Sequence, residues 1–290
     1  MSLIVRDEAD IIRENIKFHA QMGVDAFAII DNGSTDGTRE ILHSLRSYYD
    51  LQVFDDRGPF EKERQSMLLA EHLRQHQHAD WLISNDADEF WVPKSGDLKS
   101  LTNPSTPVLI AGRYNFLPRT EDVAADDYKF YQTTMLVDKP YGEQPPAPDP
   151  NEPLLFPIML RTFPGKIMCA LVGLEHVCNG NHQVRHAAGN ACHTDEAVIY
   201  HYHIRSYKYF ESKIRNHGKS LHMTASEICW HLRRWYAAYL GGTLRNEYES
   251  LLLSEEQARI LLAAGVIREE RIIANFFEAK SPAAQSGLSR

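Results

Sequence analysis

Residues Trp81 to Trp91 read WLISNDADEFW. An apolar run, Trp81 to Ser84, has the composition of a buried strand. It then meets three carboxylates, Asp86, Asp88 and Glu89, with only Ala87 among them. Carboxylates a few ångström apart repel one another, and burial raises their pKa values. Folding alone does not ask for such a cluster at the end of a core strand; a bound cation is the usual reason for one. In extended chain alternate residues share a face. Asp86 and Asp88 are therefore expected to point the same way, with Ala87 facing the core. That suits two oxygen ligands on one hard cation, Mg²⁺ or Mn²⁺, with room kept for phosphate oxygens. The competing reading is a solvated acidic turn, since Asp is common in turns.

Upstream of this stretch the chain alternates strand and helix patterns. Leu3 to Val5 is a short apolar strand. From Glu8 to Met22, Ile11, Ile12, Ile16, Phe18 and Met22 fall on one helical face, and Gly23 follows as a C-cap. AFAII (Ala26 to Ile30) is an apolar strand, DNGSTDGT a loop, and Thr38 to Tyr48 a helix. LQVF (Leu51 to Phe54) is a third strand, and Glu61 to Gln77 a helix carrying Met67, Leu68 and Leu73. This order predicts an α/β fold, a mostly parallel central sheet flanked by helices. Ligands in such folds bind at the carboxyl ends of the strands. Arg6-Asp7-Glu8, the loop from Asp31 to Asp36, and Asp86 to Glu89 all belong there.

After Pro93 the pattern changes. Val108 to Tyr114, Lys129 to Val137, Ile158 to Phe163 and Ala197 to Ile204 read as strands. Tyr141 to Pro157 is Pro-rich and reads as a loop or lid. From Ser206 the chain reads as a helical segment with a stripe of Ile228, Leu232, Trp235 and Tyr239. The tail after Lys280 reads as disordered. The expected domains are residues 1–218, with a half that carries the acidic cluster (1–92) and a second half (93–218), followed by a helical extension (219–290).

The 290 residues are enough to bury a full core, and the formal charge of −8 argues against nucleic acid as a partner. No run approaches the length of a membrane span, and MSLIVRDEAD is too short in apolar residues for a signal peptide. A cytoplasmic protein is expected, with peripheral membrane association open. Cys169, Cys178, Cys192 and Cys229 are widely spaced and read as free thiols; a zinc site at Cys178, Cys192 and His193 is the lesser alternative.

RDEADIIRENIKFHAQMGVDAFAIIDNGSTDGTREIL, followed by ADWLISNDADEFW, resembles the family 2 type of glycosyltransferases with the GT-A fold, in the branch whose DxD reads DADEF. IYHYHIRSYKYFESKIRNHG (Ile199 to Gly218) resembles the His-Tyr-x-x-basic-Ser segment of that branch. The resemblance implies a metal-dependent transfer of a sugar, of the hexosyltransferase type, from a nucleoside-diphosphate sugar to the hydroxyl of a glycan or other acceptor. It further implies a role in polysaccharide biosynthesis. Asp88 would be the direct ligand of Mn²⁺ or Mg²⁺, with Asp86 on the metal through water or on the ribose. Asp31 would bind base or ribose, with Ser34 and Asp36 shaping the loop; Asp36 reads equally as a helix N-cap. Arg6 and Glu8 match the nucleotide-contacting segment, or else a first-turn charge pattern. Arg64 faces either the nucleotide or solvent. His201 matches a metal-ligating histidine and shares a strand face with His203. Arg205 and Lys213 would bind diphosphate, unless Lys213 is a solvated charge. His176 also matches a position of that branch, without a role derivable from its chemistry.

Inversion at the anomeric carbon needs a general base opposite the leaving diphosphate. Glu175 is favoured by its spacing from Asp88, and Asp122, in the literal Glu121-Asp122 pair, is the second choice. The alternatives are a nucleotidyltransferase or phosphohydrolase, which also cluster aspartates, and a non-catalytic nucleotide-sugar-binding relative. No GxxxxGK[ST] loop and no DxDxT is present.

Overall fold

The six residues of AFAIID are all buried, as a strand covered on both faces requires. In the computed structural model, which describes residues 1–58, 61–125, 127–142, 158–189, 191–222 and 230–279, they form a central strand of a sheet. The elements in chain order are β1 (Ser2–Val5), α1 (Ile12–Gln21), β2 (Ala26–Asp31), α2 (Thr38–Leu45), β3 (Asp50–Asp55), α3 (Lys62–His76), β4 (Trp81–Asn85), β5 (Glu89–Pro93), β6 (Val108–Leu117), α4 (Thr120–Val123), β7 (Met135–Val137), β8 (Phe163–Ala170), β9 (Leu174–Val177), β10 (Val184–His186), β11 (Cys192–His201), α5 (Tyr207–His222), α6 (Trp230–Leu240), α7 (Leu244–Glu249), α8 (Glu255–Ala263), β12 (Ile267–Glu269) and α9 (Ile272–Glu278). They group into two compact units, Met1–Arg113 with Phe163–His201, and Tyr114–Thr162 with Tyr202–Arg290.

The first unit is an α/β layer. β3, β2, β1 and β4 run parallel in that order; the first three end level, Val5 pairing with Asp31 and Asp31 with Asp55, and β4 ends at Asn85 opposite Leu3. β8 continues the sheet antiparallel to β4, and β6 pairs antiparallel with β8. Ala26, Ala28 and Ile30 on one face of β2 pack with Leu69, Ala70 and Leu73 of α3 and with Ile167 and Cys169 of β8. α1 buries Ile12, Ile16 and Phe18 and ends where Gly23 takes φ +94°, a conformation open to glycine at little cost. β5 pairs antiparallel with β11, and β9 with β10.

The second unit is built on β7, which pairs with the end of β6 and with β12, and on helices α5 to α9. Phe210, Ile214, Trp235, Leu244, Tyr248 and Ile267 share one core there.

Several expectations change. The stretch from Lys129 to Val137 is a strand only from Met135. The Gln132 side chain accepts from Lys129 N at 2.7 Å and closes a 3₁₀ turn at Phe130–Gln132 instead. Ile158–Leu160 is likewise a 3₁₀ turn, its three side chains buried in the second unit, and the strand starts at Phe163. α2 stops at Leu45, short of Tyr48. Residues 143–157 of the Pro-rich stretch, Ile228, Cys229 and the tail from Lys280 lie outside the described residues. Cys169, Cys178 and Cys192 are free thiols. Among the described residues no metal-ligating cluster includes Cys178, Cys192 or His193, and no helix is long and apolar enough to cross a membrane.

Candidate functional site

The deciding stretch is a turn rather than extended chain. β4 ends at Asn85 and β5 begins at Glu89, and Glu89 N donates to Asp86 O at 3.1 Å across the turn between them. Ala87 is buried, as expected, but Asp86 and Asp88 have different neighbours. Asp86 accepts from Lys62 Nζ at 2.7 Å on Oδ1 and from Lys166 Nζ at 2.6 Å on Oδ2. Glu89, fully buried, pairs with Arg113 Nη1 at 2.7 Å and Lys166 Nζ at 3.2 Å. Lys166, itself buried, also donates to Gly180 O at 2.8 Å. Much of the repulsion implicit in DADE is thus relieved by the chain's own cations. Burial pushes the Asp86 carboxyl upward, but the Lys166 and Lys62 ammonium groups outweigh it and hold Asp86 far below the usual carboxylate range.

Asp88 has a different neighbour. β5 and β11 pair with His201 opposite Glu89, which brings His201 Nε2 to 3.6 Å from Asp88 Oδ2. Both side chains are only 6% exposed. Burial pushes the His201 imidazole below its ordinary pKa, against the pull of the Asp88 charge, so the ring is neutral at pH 7. A carboxylate oxygen and a neutral imidazole nitrogen at that separation, too long for a strong hydrogen bond, match the donor set of one divalent cation. These two residues fit a metal; Asp86, with both oxygens on lysines, sits differently. β11 ends at His201, so His203 lies beyond the strand.

The turn is braced from α1. Asn15, wholly buried, donates through Nδ2 to the carbonyls of Ala87 and Glu89, both at 2.9 Å, on either side of Asp88. His19, one turn on, accepts from Trp91 N through Nε2 at 3.0 Å. Burial pushes its pKa down to about 3. Neither was singled out in the sequence, yet the signal was present: both are polar residues on the apolar face of α1. Lys166 has a similar signature, one lysine inside the strand FPGKIMCA. Lys62 and Arg113 carry no such mark.

At the neighbouring strand ends, Asp31 is buried. Its Oδ1 accepts from Ser34 N at 2.9 Å and its Oδ2 from Arg39 Nε at 2.8 Å. Arg39 also makes two bonds to Asp55, at 2.7 and 2.9 Å, which hold that carboxyl down at about 2. Ser34 Oγ accepts from Asp7 N, and Asp7, at φ +55°, accepts from Thr35 N at 2.6 Å. Asp36 accepts from Thr38 N, the first residue of α2, and from Ala9 N, so it ties the loop after β1 to the start of α2, whose N-cap is Gly37. Glu8 N donates to Thr38 Oγ1 at 2.8 Å, while the Arg6 side chain is exposed. Arg64 is engaged by Glu61 and Asp56, and the adjacent Gln65 donates to Asp56 at 2.9 Å.

The remaining predicted residues have their own partners. Glu175 lies on β9, is half exposed and pairs with Arg185 at 3.2 Å. His176, facing the other way, meets Glu63 of α3 at 3.3 Å. In the second unit Asp122 accepts two bonds from the Arg119 guanidinium, at 2.8 and 3.1 Å. Arg205 is buried with its guanidinium 3.2 Å from the centre of the Tyr209 ring, and Lys213 Nζ is 3.3 Å from His203 Nδ1.

Fold and site together describe an α/β protein that gathers carboxylates, lysines and a buried histidine where β4 turns into β5. The sequence model of Glycosyltransferase family 92 matches residues 1–237, and the chain belongs to that family. The resemblance to glycosyltransferases read from the motifs is borne out at the level of that family. Over 88 residues the chain is 31% identical to a glycosyltransferase family 92 protein of Oryza sativa subsp. japonica, a stretch that is 30% of this chain and 15% of that protein. Over 106 residues it is 29% identical to one of Ricinus communis, 36% of this chain and 18% of that protein. The match spans under a fifth of the length of either relative. Among solved structures it is similar to the mannosyltransferase PcManGT from Pyrobaculum calidifontis in complex with GDP-Man and Mn²⁺, at 14% identity, 99% of this chain, 81% of that chain and a TM-score of 0.40. It is also similar to S. aureus TarS 1-349 in complex with UDP, at 12% identity, 88% of this chain, 75% of that chain and a TM-score of 0.42.

Proposed function

We propose that this chain transfers a sugar from a nucleoside-diphosphate sugar to a hydroxyl of a glycan or other acceptor, with Mn²⁺ or Mg²⁺ held at Asp88 and His201. The observation that carries the reading is that pair: two buried ligand atoms 3.6 Å apart at the end of adjacent strands, in a chain of glycosyltransferase family 92. When bound, the cation neutralises charge developing on the departing diphosphate. Asp88 and His201 orient its site, Asn15 keeps the turn in register, and the buried cations let Asp86 and Glu89 sit beside Asp88. Asp31, aimed by Arg39, is the proposed contact for base or ribose. Transfer proceeds with inversion in this reading, and Glu175 is the proposed general base because it is the half-exposed carboxylate at the expected spacing from Asp88.

The test is a screen of UDP-, GDP-, dTDP- and CDP-sugars, each with and without Mn²⁺, on wild type and Asp88→Ala. Metal-dependent release of one nucleoside diphosphate, lost in Asp88→Ala, is the expected result. Release of nucleoside monophosphate would move the assignment to a nucleotidyltransferase or phosphohydrolase. Binding without turnover would make the chain a non-catalytic relative. In Glu175→Gln, a kcat lowered about a hundredfold or more with unchanged donor affinity assigns the base; an unchanged kcat removes Glu175 from that role.

A further inference from the structure

Lys62 opens α3, beside the carboxyl ends of the strands. Among the described residues its ammonium has one hydrogen-bond partner, Asp86 Oδ1 at 2.7 Å. An ammonium carries three donors, so two are left over. Lys166, on the other oxygen of Asp86, is in the opposite situation. It is 1% exposed and is held by Asp86, Glu89 and the Gly180 carbonyl together. Lys62 is 15% exposed and sits on a flexible stem. One of the two cations on Asp86 is therefore locked and the other is free to exchange its partner.

Charge gives the exchange a direction. Around the turn, Lys62, Lys166 and Arg113 face Asp86, Asp88 and Glu89, three charges of each sign. A divalent cation on Asp88 and His201 would leave the cluster with two positive charges in excess. A nucleoside-diphosphate sugar carries two negative charges on its phosphates. Asp86 keeps a full counter-charge in Lys166 when Lys62 turns away, so the turn loses no buried neutralisation. Burial works against the charge on Lys62, but Asp86, Glu89 and Asp88 outweigh it, and Lys62 stays an ammonium.

We infer that Lys62 is a phosphate-binding residue of the donor site, which Asp86 holds in place until the diphosphate of the donor takes it over. Lysine serves here as a point charge with rotatable donors, a role in which arginine replaces it only partly. This inference rests on the proposed donor site and deepens it by naming a residue for the diphosphate. Arg64, the basic residue the sequence offered on the same helix, is engaged by Glu61 and Asp56 instead.

Calorimetry with UDP, GDP, dTDP and CDP in the presence of Mn²⁺, and with the corresponding nucleosides, tests it on wild type, Lys62→Met, Lys62→Gln and Lys62→Arg. Thermal melts establish that each variant is folded. The expected result is a loss of about tenfold to a hundredfold in affinity for the diphosphate in the two neutral variants, the scale of a charged hydrogen bond. Lys62→Arg recovers part of it, and nucleoside affinity does not move. Undiminished diphosphate affinity in folded Lys62→Met, with wild type binding, would overturn the inference and leave the donor site standing. An equal loss for nucleoside and diphosphate would overturn it too, because Lys62 would then act on the turn as a whole. Failure of wild type to bind any of the four would remove the donor site, and this inference with it.

Discussion

At the scale of the residue, Lys166 decides how DADE can be buried. A lysine inside an apolar strand costs several kcal/mol of desolvation unless its charge is matched, and here it joins two carboxylates and a carbonyl. Lys166→Met is expected to destabilise the protein by about 3–5 kcal/mol, because Asp86 and Glu89 lose their shared buried partner. Urea denaturation measures this, and Asp86→Asn with Glu89→Gln in the same chain is expected to recover much of the loss. Unchanged stability in Lys166→Met would mean that Lys62 and Arg113 suffice. Asp88→Asn gives a contrasting expectation: a folded protein with melting temperature close to wild type in EDTA, and no shift on adding Mn²⁺.

At the scale of the element, α1 holds the turn from behind. Asn15 bonds both carbonyls that flank Asp88, so its removal acts on the metal site without touching a ligand. Asn15→Ala is expected to lose about 1–3 kcal/mol, because the buried Ala87 carbonyl loses its side-chain donor while the Glu89 carbonyl keeps Asn85 Nδ2 at 3.0 Å, and about 10–100-fold in Mn²⁺ affinity, the usual effect of an outer-sphere support. A calorimetric Mn²⁺ titration equal to wild type would show that the turn keeps its shape alone. His19, on the same helix face, adds a pH dependence. Its pKa falls from an ordinary value near 6.5 to about 3 on folding, so the unfolded chain binds the proton first as pH drops. Its contribution is fully present above about pH 6.5 and is lost as pH falls toward 3, with a slope approaching about 1.4 kcal/mol per pH unit. Denaturation at pH 7, 6 and 5 should show this slope in wild type and a flatter one in His19→Gln.

At the scale of the whole molecule, the expectation is linkage between ligand and stability. A nucleoside diphosphate that binds only the folded chain stabilises it by about 2.7 kcal/mol at a hundredfold excess over Kd. With Mn²⁺ one of UDP, GDP, dTDP or CDP should raise the melting temperature, and EDTA should abolish the rise. A shift that persists in EDTA would mean that the nucleotide is held without the cation.

The sequence by itself determined the α/β layer, because buried parallel strands are continuous apolar runs and the helices between them keep a 3.6-residue period. AFAIID and WLISN are where the patterns placed them, and so are the polar loops at their carboxyl ends. Asp86 and Asp88 stood out as an acidic cluster at the end of a core strand, whereas Asp31 and His201 were singled out by the resemblance; the structure places these two at the ends of β2 and β11. Tertiary structure alone decided which carboxylate stands with the histidine and which with the lysines. Alternation assigned Asp86 and Asp88 one face, but a turn between β4 and β5 sends them to different partners. Those partners come from α3, β8 and β11, tens of residues away. Local period carries no record of such contacts, because the pairing of charges depends on distance in space and not on position along the chain.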